Sequence, residues 1–291
     1  MSQNKFDQEK FEILRKIGNG GCGNVYDVTY NDKPLVAKCS KSVNHDHNLT
    51  VEYNALKHMK KNGVKGVPSA GFKFKYTHNN ETQNYFLMEK LGIDLKKYVK
   101  MNHANKLPLN KTLVIAIQSL KIMESFHNCG VIHNDIKPDN ILFGLKDPSQ
   151  IFFIDFGFSS KYLTEAGQHI IESEIINNGG FPPCMSLNRL LKKVPSRRDD
   201  LESLAYTLIK LRSGRLPWTY IYNKKLSFDL KNEEVIKEKK KSAEVICQGI
   251  EKEFQMFLED VRKLGFSEKP PYSKYIDLFF RLLGEEVFKT E

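Results

Sequence analysis

The sequence predicts an α+β protein of two lobes, a small β-rich one followed by a larger helical one. Residues 11–90 hold short β-branched and aromatic runs broken by Gly, Asn and Pro. From Asp94 onward, apolar residues recur at helical spacing over long stretches. The length, 291 residues, suits two domains or one large two-lobed unit at about 150 residues per domain.

In the first segment, Phe11–Ile17, Val25–Thr29 and Leu35–Cys39 read as strands, the first two flanking a glycine cluster. Leu49–Lys60 carries apolar residues at 51, 55, 56 and 59, a helical spacing that Gly66 and Pro68 end. Phe72–Tyr76 and Tyr85–Met88 read as a strand pair around the polar loop His78–Thr82. Leu113–Phe126 is apolar on nearly all sides, as a buried helix is, and Gly130 stops it. Leu201–Leu211, Phe254–Leu264 and Tyr275–Leu283 are further helices. The expected division is an extension over 1–10, a small lobe over 11–90 and a large lobe over 91–291, hinged at Leu91-Gly92. The lysine run at 237–241 reads as a solvated helix face or loop. No internal repeat is present.

Composition narrows the classes. Hydrophobic residues at 40% and charged residues at 27% exclude a disordered or collagen-like chain. Lys+Arg 45 against Asp+Glu 35 gives a net +10, which favours an anionic partner without choosing one. Five cysteines (Cys22, Cys39, Cys129, Cys184 and Cys247), without CxxC spacing, argue against a disulfide framework or a structural zinc site. Met1–Phe11 is polar and lacks a signal-peptide core, and no apolar run reaches the ~18 residues of a membrane span. A soluble, monomeric, cytoplasmic protein is the expectation, with no nucleic-acid or membrane partner and with access to the nucleus left open.

Gly18-Asn19-Gly20-Gly21-Cys22-Gly23-Asn24-Val25 fits GxGxxGxV. A tight hairpin turn alone would account for it. Its place between two strands, not between strand and helix, disfavours a dinucleotide-binding turn and suits a flap closing over phosphates with bare backbone. Lys38 stands thirteen residues past Val25 and ends an apolar strand. It is either a solvated edge residue or an ammonium that reaches phosphates. A carboxylate would then hold its stem, and Glu52 on the next helix is the candidate.

The most informative stretch is Val131 to Leu142, VIHNDIKPDNIL. Asp135 and Asn140 lie five apart after a buried helix, the spacing of a phosphotransfer loop. The carboxylate accepts a hydroxyl proton, the amide oxygen ligates a metal, and Lys137 between them neutralises a phosphoryl group. Ile151 to Gly157 then reads as an apolar strand ending in Asp155-Phe156-Gly157. A charge at a buried strand end costs several kcal/mol unless matched, and a hard divalent cation matches it.

These residues resemble the protein-kinase signature set and, more narrowly, the casein kinase 1 family of Ser/Thr kinases. The narrower resemblance rests on Ser196 to Leu204 (SRRDDLESL), Gly214 to Trp218 (GRLPW), Ser186-Leu187-Asn188 where that family carries Ser-Ile-Asn, and Glu253-Phe254 through Lys269 to Ser273. It spans about residues 11 to 288. The vaccinia-related kinases fit less well, since they usually lack the Lys-Pro-Asp-Asn run. The resemblance implies a two-lobed kinase fold, ATP and Mg2+, and transfer of the γ-phosphate to Ser or Thr of proteins. Gly18, Gly20 and Gly23 would cover the phosphates, with Ile17, Val25 and Ala37 also at the nucleotide. Lys38 would bind the α/β-phosphates and pair with Glu52. Met88 would be the gatekeeper, and Glu89 to Leu91 the adenine-binding hinge. Asp135 would be the base, Lys137 would contact the γ-phosphate, Asn140 and Asp155 would hold magnesium, and Asp200 would brace the loop.

The chain departs from that family at two places. Asn134 replaces an arginine that anchors an activation-loop phosphate, and the chain stops soon after the catalytic domain. Both imply a constitutively competent enzyme. Gly180-Phe181-Pro182-Pro183-Cys184 replaces Gly-Thr-Ala-Arg-Tyr, which puts preference for phosphorylated substrates in doubt. Lys224, Arg189, Lys192 and Lys193 would still favour acidic substrates, or serve only solubility. Cys22 would lie at the flap tip and Cys39 on the strand face opposite Lys38. The alternatives are a nucleotide-binding scaffold without turnover, supported by Phe181 and Asn134, and a nucleic-acid binder, for which there is charge but neither an aromatic platform nor a basic stripe.

Overall fold

Two turns built on Asn and Asp set the register of the small lobe. Asn31 and Asp32 have φ of 50° and 59°, and Asn79 and Asn80 have 51° and 64°. Positive φ at both central positions is the type I′ geometry, whose twist matches a hairpin. The first turn joins β2 (Gly23–Tyr30) to β3 (Lys33–Cys39), and the second joins β4 (Ala70–His78) to β5 (Glu81–Glu89). With β1 (Phe11–Gly20) they form one antiparallel sheet in the order β1-β2-β3-β5-β4. The computed structural model describes residues 6–20, 23–40, 46–101, 105–174 and 183–290. Cys22 and Phe181, on which two sequence expectations rest, lie outside the described residues.

Helix α1 (Asp46–Lys61) crosses from β3 to β4 and buries Leu49, Glu52, Leu56 and Met59. These recur three and four apart, so they share one face. Asp46 in its first turn accepts hydrogen bonds from Ser40 Oγ (2.5 Å) and Asn84 Nδ2 (2.7 Å), which pins the helix start to the sheet. At the other end, His58 Nε2 meets the Cys129 carbonyl (2.9 Å) and ties α1 to the large lobe. Strand β5 ends at Glu89, and the next helix begins at Leu95.

The large lobe contains α2 (Leu95–Met101), α3 (Leu109–Asn128), the short α4 (Leu187–Leu190), α5 (Arg197–Ser213), α6 (Phe228–Lys239), α7 (Ala243–Ile246), α8 (Lys252–Lys263) and α9 (Tyr272–Thr290). Its core gathers Leu120, Phe126, Leu204, Trp218, Phe257 and Tyr275, all nearly fully buried. Against the small lobe lie two minimal ribbons, β6 (Val131–Ile132) with β9 (Ser160–Lys161) and β7 (Ile141–Phe143) with β8 (Ile151–Phe153). The strong helical periodicities and the five sheet strands were legible in sequence. Strand β8 falls within the apolar strand expected over Ile151 to Gly157, whereas β6, β7 and β9 were not legible, because so short a run has no period.

Two expectations need correction here. Ala37 was expected at the nucleotide with Lys38. Side chains alternate along a strand, so Ala37 faces the opposite side. It packs, fully buried, with Phe11, Val28, Cys39, Phe74, Tyr85 and Leu87 on the outer face of the sheet. Val36 takes the Lys38 face, opposite Met88 of β5. Cys39 shares the outer face, as expected.

The lysine run is also not wholly solvated. Lys239 ends α6 with no exposed surface, its ammonium donating to the Met185 carbonyl and lying 4.4 Å from the Tyr206 ring and 4.8 Å from Trp218. Burial pushes its pKa down to about 7, although Glu202 works the other way. Unfolded lysine titrates near 10.4, so between about pH 7 and 10 the unfolded chain binds the extra proton. Stability from this group therefore rises with pH across that window, and the burial cost is fully felt below it. Lys239→Met should raise the melting temperature near pH 6.5 and gain less near pH 9.5. An equal gain at both would show that Lys239 does not titrate in this window.

Candidate active site

The site forms where β3, α1 and the ends of β6 to β8 converge. Lys38 is opposite Val25 on β2 and Phe86 on β5, in the middle of the sheet. Its ammonium bridges Glu52 Oε2 (2.5 Å) from α1 and Asp155 Oδ1 (2.7 Å) from beyond β8. Its side chain is only 6% exposed. Burial opposes the charge on Lys38, but Asp155 and Glu52 outweigh it and push its pKa above the ordinary lysine value. Burial also opposes ionisation of Asp155, yet Lys38 holds that carboxyl below its ordinary value. Ion pairs inside a protein persist only when so matched.

The loop after β6 carries the second group. Asp135 Oδ2 accepts from Lys137 Nζ (2.7 Å) and Asn140 Nδ2 (2.9 Å). Asp135 Oδ1 is buried and has no hydrogen-bond partner among the described residues. An orphaned carboxylate oxygen costs about 1–3 kcal/mol, which an incoming hydroxyl donor would relieve. Burial pushes the Asp135 pKa up against the pull of Lys137. Asn140 precedes β7, whose Ile141 is opposite Phe153 of β8, and the Ile154 N–H donates to the Asn140 carbonyl (2.9 Å). That register brings Asn140 beside the strand end bearing Asp155.

A divalent cation suits this donor set. Both hydrogen bonds of Asn140 to Asp135 use Nδ2, which leaves its amide oxygen for a ligand. Glu52 and Asp155 share the ammonium of Lys38, and Asp135 accepts from that of Lys137, so among these five side chains carboxylates outnumber ammonium groups. Asn140 and Asp155 offer hard oxygens to a cation whose remaining ligands would be phosphate and water.

Asp200, which the resemblance implied as a brace, and several residues that sequence reasoning missed hold the loop in place. Asp200, in the first turn of α5, accepts from His133 N (2.6 Å), Asn134 N (2.8 Å) and His127 Nε2 (2.9 Å). Its place at a helix start favours the charge. His127 is in turn capped by the Tyr272 hydroxyl of α9. His133 Nδ1 accepts the Asp135 N–H (3.1 Å) and Nε2 meets the Ile154 carbonyl (2.9 Å), which assigns the Nε2–H tautomer. His133 thus links the loops of Asp135 and Asp155, and its ring packs 4.5 Å from that of Phe156. Asn134 and Asp155 both sit in the left-handed region, with φ of 67° and 64°, as strained residues at functional sites do. The bracing role of Asp200 was legible; His127 and Tyr272 lie 145 residues apart and had no signal.

The flap is the β1–β2 hairpin, with Gly18 opposite Val25 and Gly20 opposite Gly23. A Cβ on Gly23 would come within 2.2 Å of the Cys39 carbonyl, so only glycine fits there. Ile17 falls at a register shift in β1 and is 41% exposed. Met88 is buried on the Lys38 face, and Glu89 takes its backbone N–H to the Ser69 carbonyl (3.0 Å). Met88, Glu89 and Leu91 also line a cavity of about 850 Å³ together with Tyr30, Pro34 and Leu145. None of Lys38, Glu52, Asp135, Asn140 or Asp155 borders that cavity, so it is not the site described here.

Two expected substrate-facing cations are used elsewhere. Arg189 is 5% exposed and donates to the Asn134 carbonyl. Lys224 pairs with Glu234 (2.7 Å). Lys192 and Lys193 are exposed. Lys38→Met would leave Glu52 and Asp155 without their shared counterion and should destabilise the fold by about 3–5 kcal/mol. Adding Glu52→Gln should return part of that loss in a denaturant titration; additive losses would contradict the pairing.

The family model described as protein kinase domain matches residues 11–275. That stretch holds the sheet, the flap, Lys38, Glu52, the Asp135 loop and Asp155. The chain belongs to the protein kinase family.

Proposed function

We propose that this kinase transfers the γ-phosphate of ATP to Ser or Thr of protein substrates, in the manner of casein kinase 1, and does so without prior phosphorylation. The observation that carries this is the Lys38 bridge between Glu52 and Asp155, which joins both lobes in a phosphotransfer-ready arrangement. The narrower reading is supported by the contact of its two family-like segments: Ser186 Oγ donates to Asp199 Oδ1 (2.7 Å).

In this reading Asp135 Oδ1 receives the hydroxyl of the substrate and takes its proton as the new P–O bond forms and the bond from the γ-phosphorus to the leaving ADP oxygen breaks. Lys137 neutralises charge on the transferring group, and Lys38 orients the α/β-phosphates. Asn140 and Asp155 would hold magnesium, which when bound would spread the charge of the phosphates. Gly18, Gly20 and Gly23 close over the phosphates. Ile17, Val25 and Val36 take the adenine side with Met88, and Glu89 to Leu91 supply backbone contacts. Catalysis is chiefly positioning and charge stabilisation. Asn134 donates Nδ2–H to the Phe158 carbonyl (2.9 Å) and Ser160 Oγ (3.0 Å), so this residue is anchored by neutral groups and needs no phosphate. Lys192 and Lys193 favour acidic substrates, and Pro183, whose carbonyl accepts from Trp218 Nε1 (2.8 Å), offers no cation to a phosphorylated one. The protein acts as a monomer.

Phosphatase-treated protein made in bacteria should phosphorylate Ser and Thr peptides, not Tyr peptides, with magnesium and ATP. Asp135→Asn should lower turnover at least ~10²-fold with nucleotide binding retained. Nucleotide binding without turnover in the unmodified protein would favour a scaffold instead.

A further inference from the structure

The mechanism above leaves one buried charge next to the reacting carboxylate unused. Arg189 lies on α4, and its side chain passes under the loop that bears Asp135. Its Nη1–H donates to the carbonyl of Asn134. That carbonyl belongs to the peptide group that leads into Asp135. The N–H of the same peptide group donates to His133 Nδ1. The plane is therefore held at both ends, by an imidazole on one side and a guanidinium on the other. Its orientation sets the direction in which the Asp135 side chain leaves the backbone.

The need for such a clamp follows from local strain. Asn134 has φ of 67°, a conformation an L-residue leaves readily unless its surroundings enforce it. Asp200 holds the Asn134 N–H, Phe158 with Ser160 hold its side-chain Nδ2, and Arg189 takes the carbonyl, while Oδ1 stays buried without a hydrogen-bond partner among the described residues. Burial works against the charge of this guanidinium, and the nearby carboxylates of Asp200, Asp135 and Asp199 offset part of that cost. Asp199 is itself fixed by Ser186 Oγ and Ser196 N (2.8 Å), the former directly preceding α4. The clamp thus runs from the start of α5 through α4 to Asp135.

We propose that Arg189 is a positioning residue that sets the orientation of the Asn134–Asp135 peptide, and with it the aim of the Asp135 carboxylate at the substrate hydroxyl. This rests on the phosphotransfer reading and adds to it the element that tunes its rate. It also couples the segment leading into α4 to the reacting carboxylate, so that disturbing that segment slows chemistry without weakening nucleotide binding.

A displacement of about 1 Å at a reacting group can cost on the order of 10²-fold. Arg189→Met should accordingly lower kcat by about 10- to 100-fold, with KM for ATP and the bound ADP stoichiometry unchanged. Arg189→Lys keeps the charge and one donor but not the fork, and should recover part of the loss. The decisive comparison is the pair with Asp135→Asn. If Arg189 acts through Asp135, adding Arg189→Met to Asp135→Asn costs little more. Hydrogen exchange gives a readout that needs no turnover: amides of residues 133–135 should exchange faster in Arg189→Lys and Arg189→Met. Unchanged kcat, a full multiplicative loss in the double variant, or unchanged exchange in whichever variant folds would each overturn the proposal. Absence of turnover in the unmodified protein with faster exchange in the variants would sink the phosphotransfer reading and leave the clamp standing as a structural fact.

Discussion

One buried ammonium holds this protein's two lobes in working relation. Lys38 comes from the small sheet, Glu52 from the helix packed against it, and Asp155 from the loop that leaves the large lobe. None of the three would be tolerable alone, since an unmatched charge in so dry a place costs several kcal/mol. Together they satisfy one another and fix the helix α1, the strand β3 and the Asp155 loop at a single point. Val36 and Met88 share the sheet face that Lys38 takes, because the pleat alternates.

A second set of contacts fixes the Asp135 loop against the large lobe. Asp200 gathers two backbone amides and an imidazole, and His133 reaches from that loop to the Asp155 loop. The two sets share Asp155 and its neighbour Ile154. The core supplies the frame: Phe126, Phe153 and Phe156 pack around His133 and exclude water from its hydrogen bonds. Low local dielectric then strengthens each of those bonds.

Two kinds of residue depart from the sequence expectations. Ala37 was grouped with Lys38 by nearness in the chain, whereas the pleat sends neighbouring residues to opposite faces; Val36, two before Lys38, was the residue to choose. Arg189 and Lys239 were read as solvated because lysine and arginine usually are. Both are buried, each with its charge turned onto a backbone carbonyl of the segment around the site. Nothing in a local window distinguishes such a cation from a surface one, because its partners come from distant parts of the chain.

Spacing and period were sufficient for much of the rest. The hairpin turns, the 3-and-4 rhythm of α1, the apolar length of α3 and the five-residue interval from Asp135 to Asn140 are local properties, and a chain satisfies them or not before it folds. Tertiary structure decided what depends on convergence: which oxygen of Asp135 is left without a partner, which tautomer His133 takes, and that a guanidinium 55 residues away clamps the peptide beside it. Backbone preference and amphipathic rhythm act over a few residues, whereas matching a buried charge takes groups that only the packed chain brings within hydrogen-bond reach.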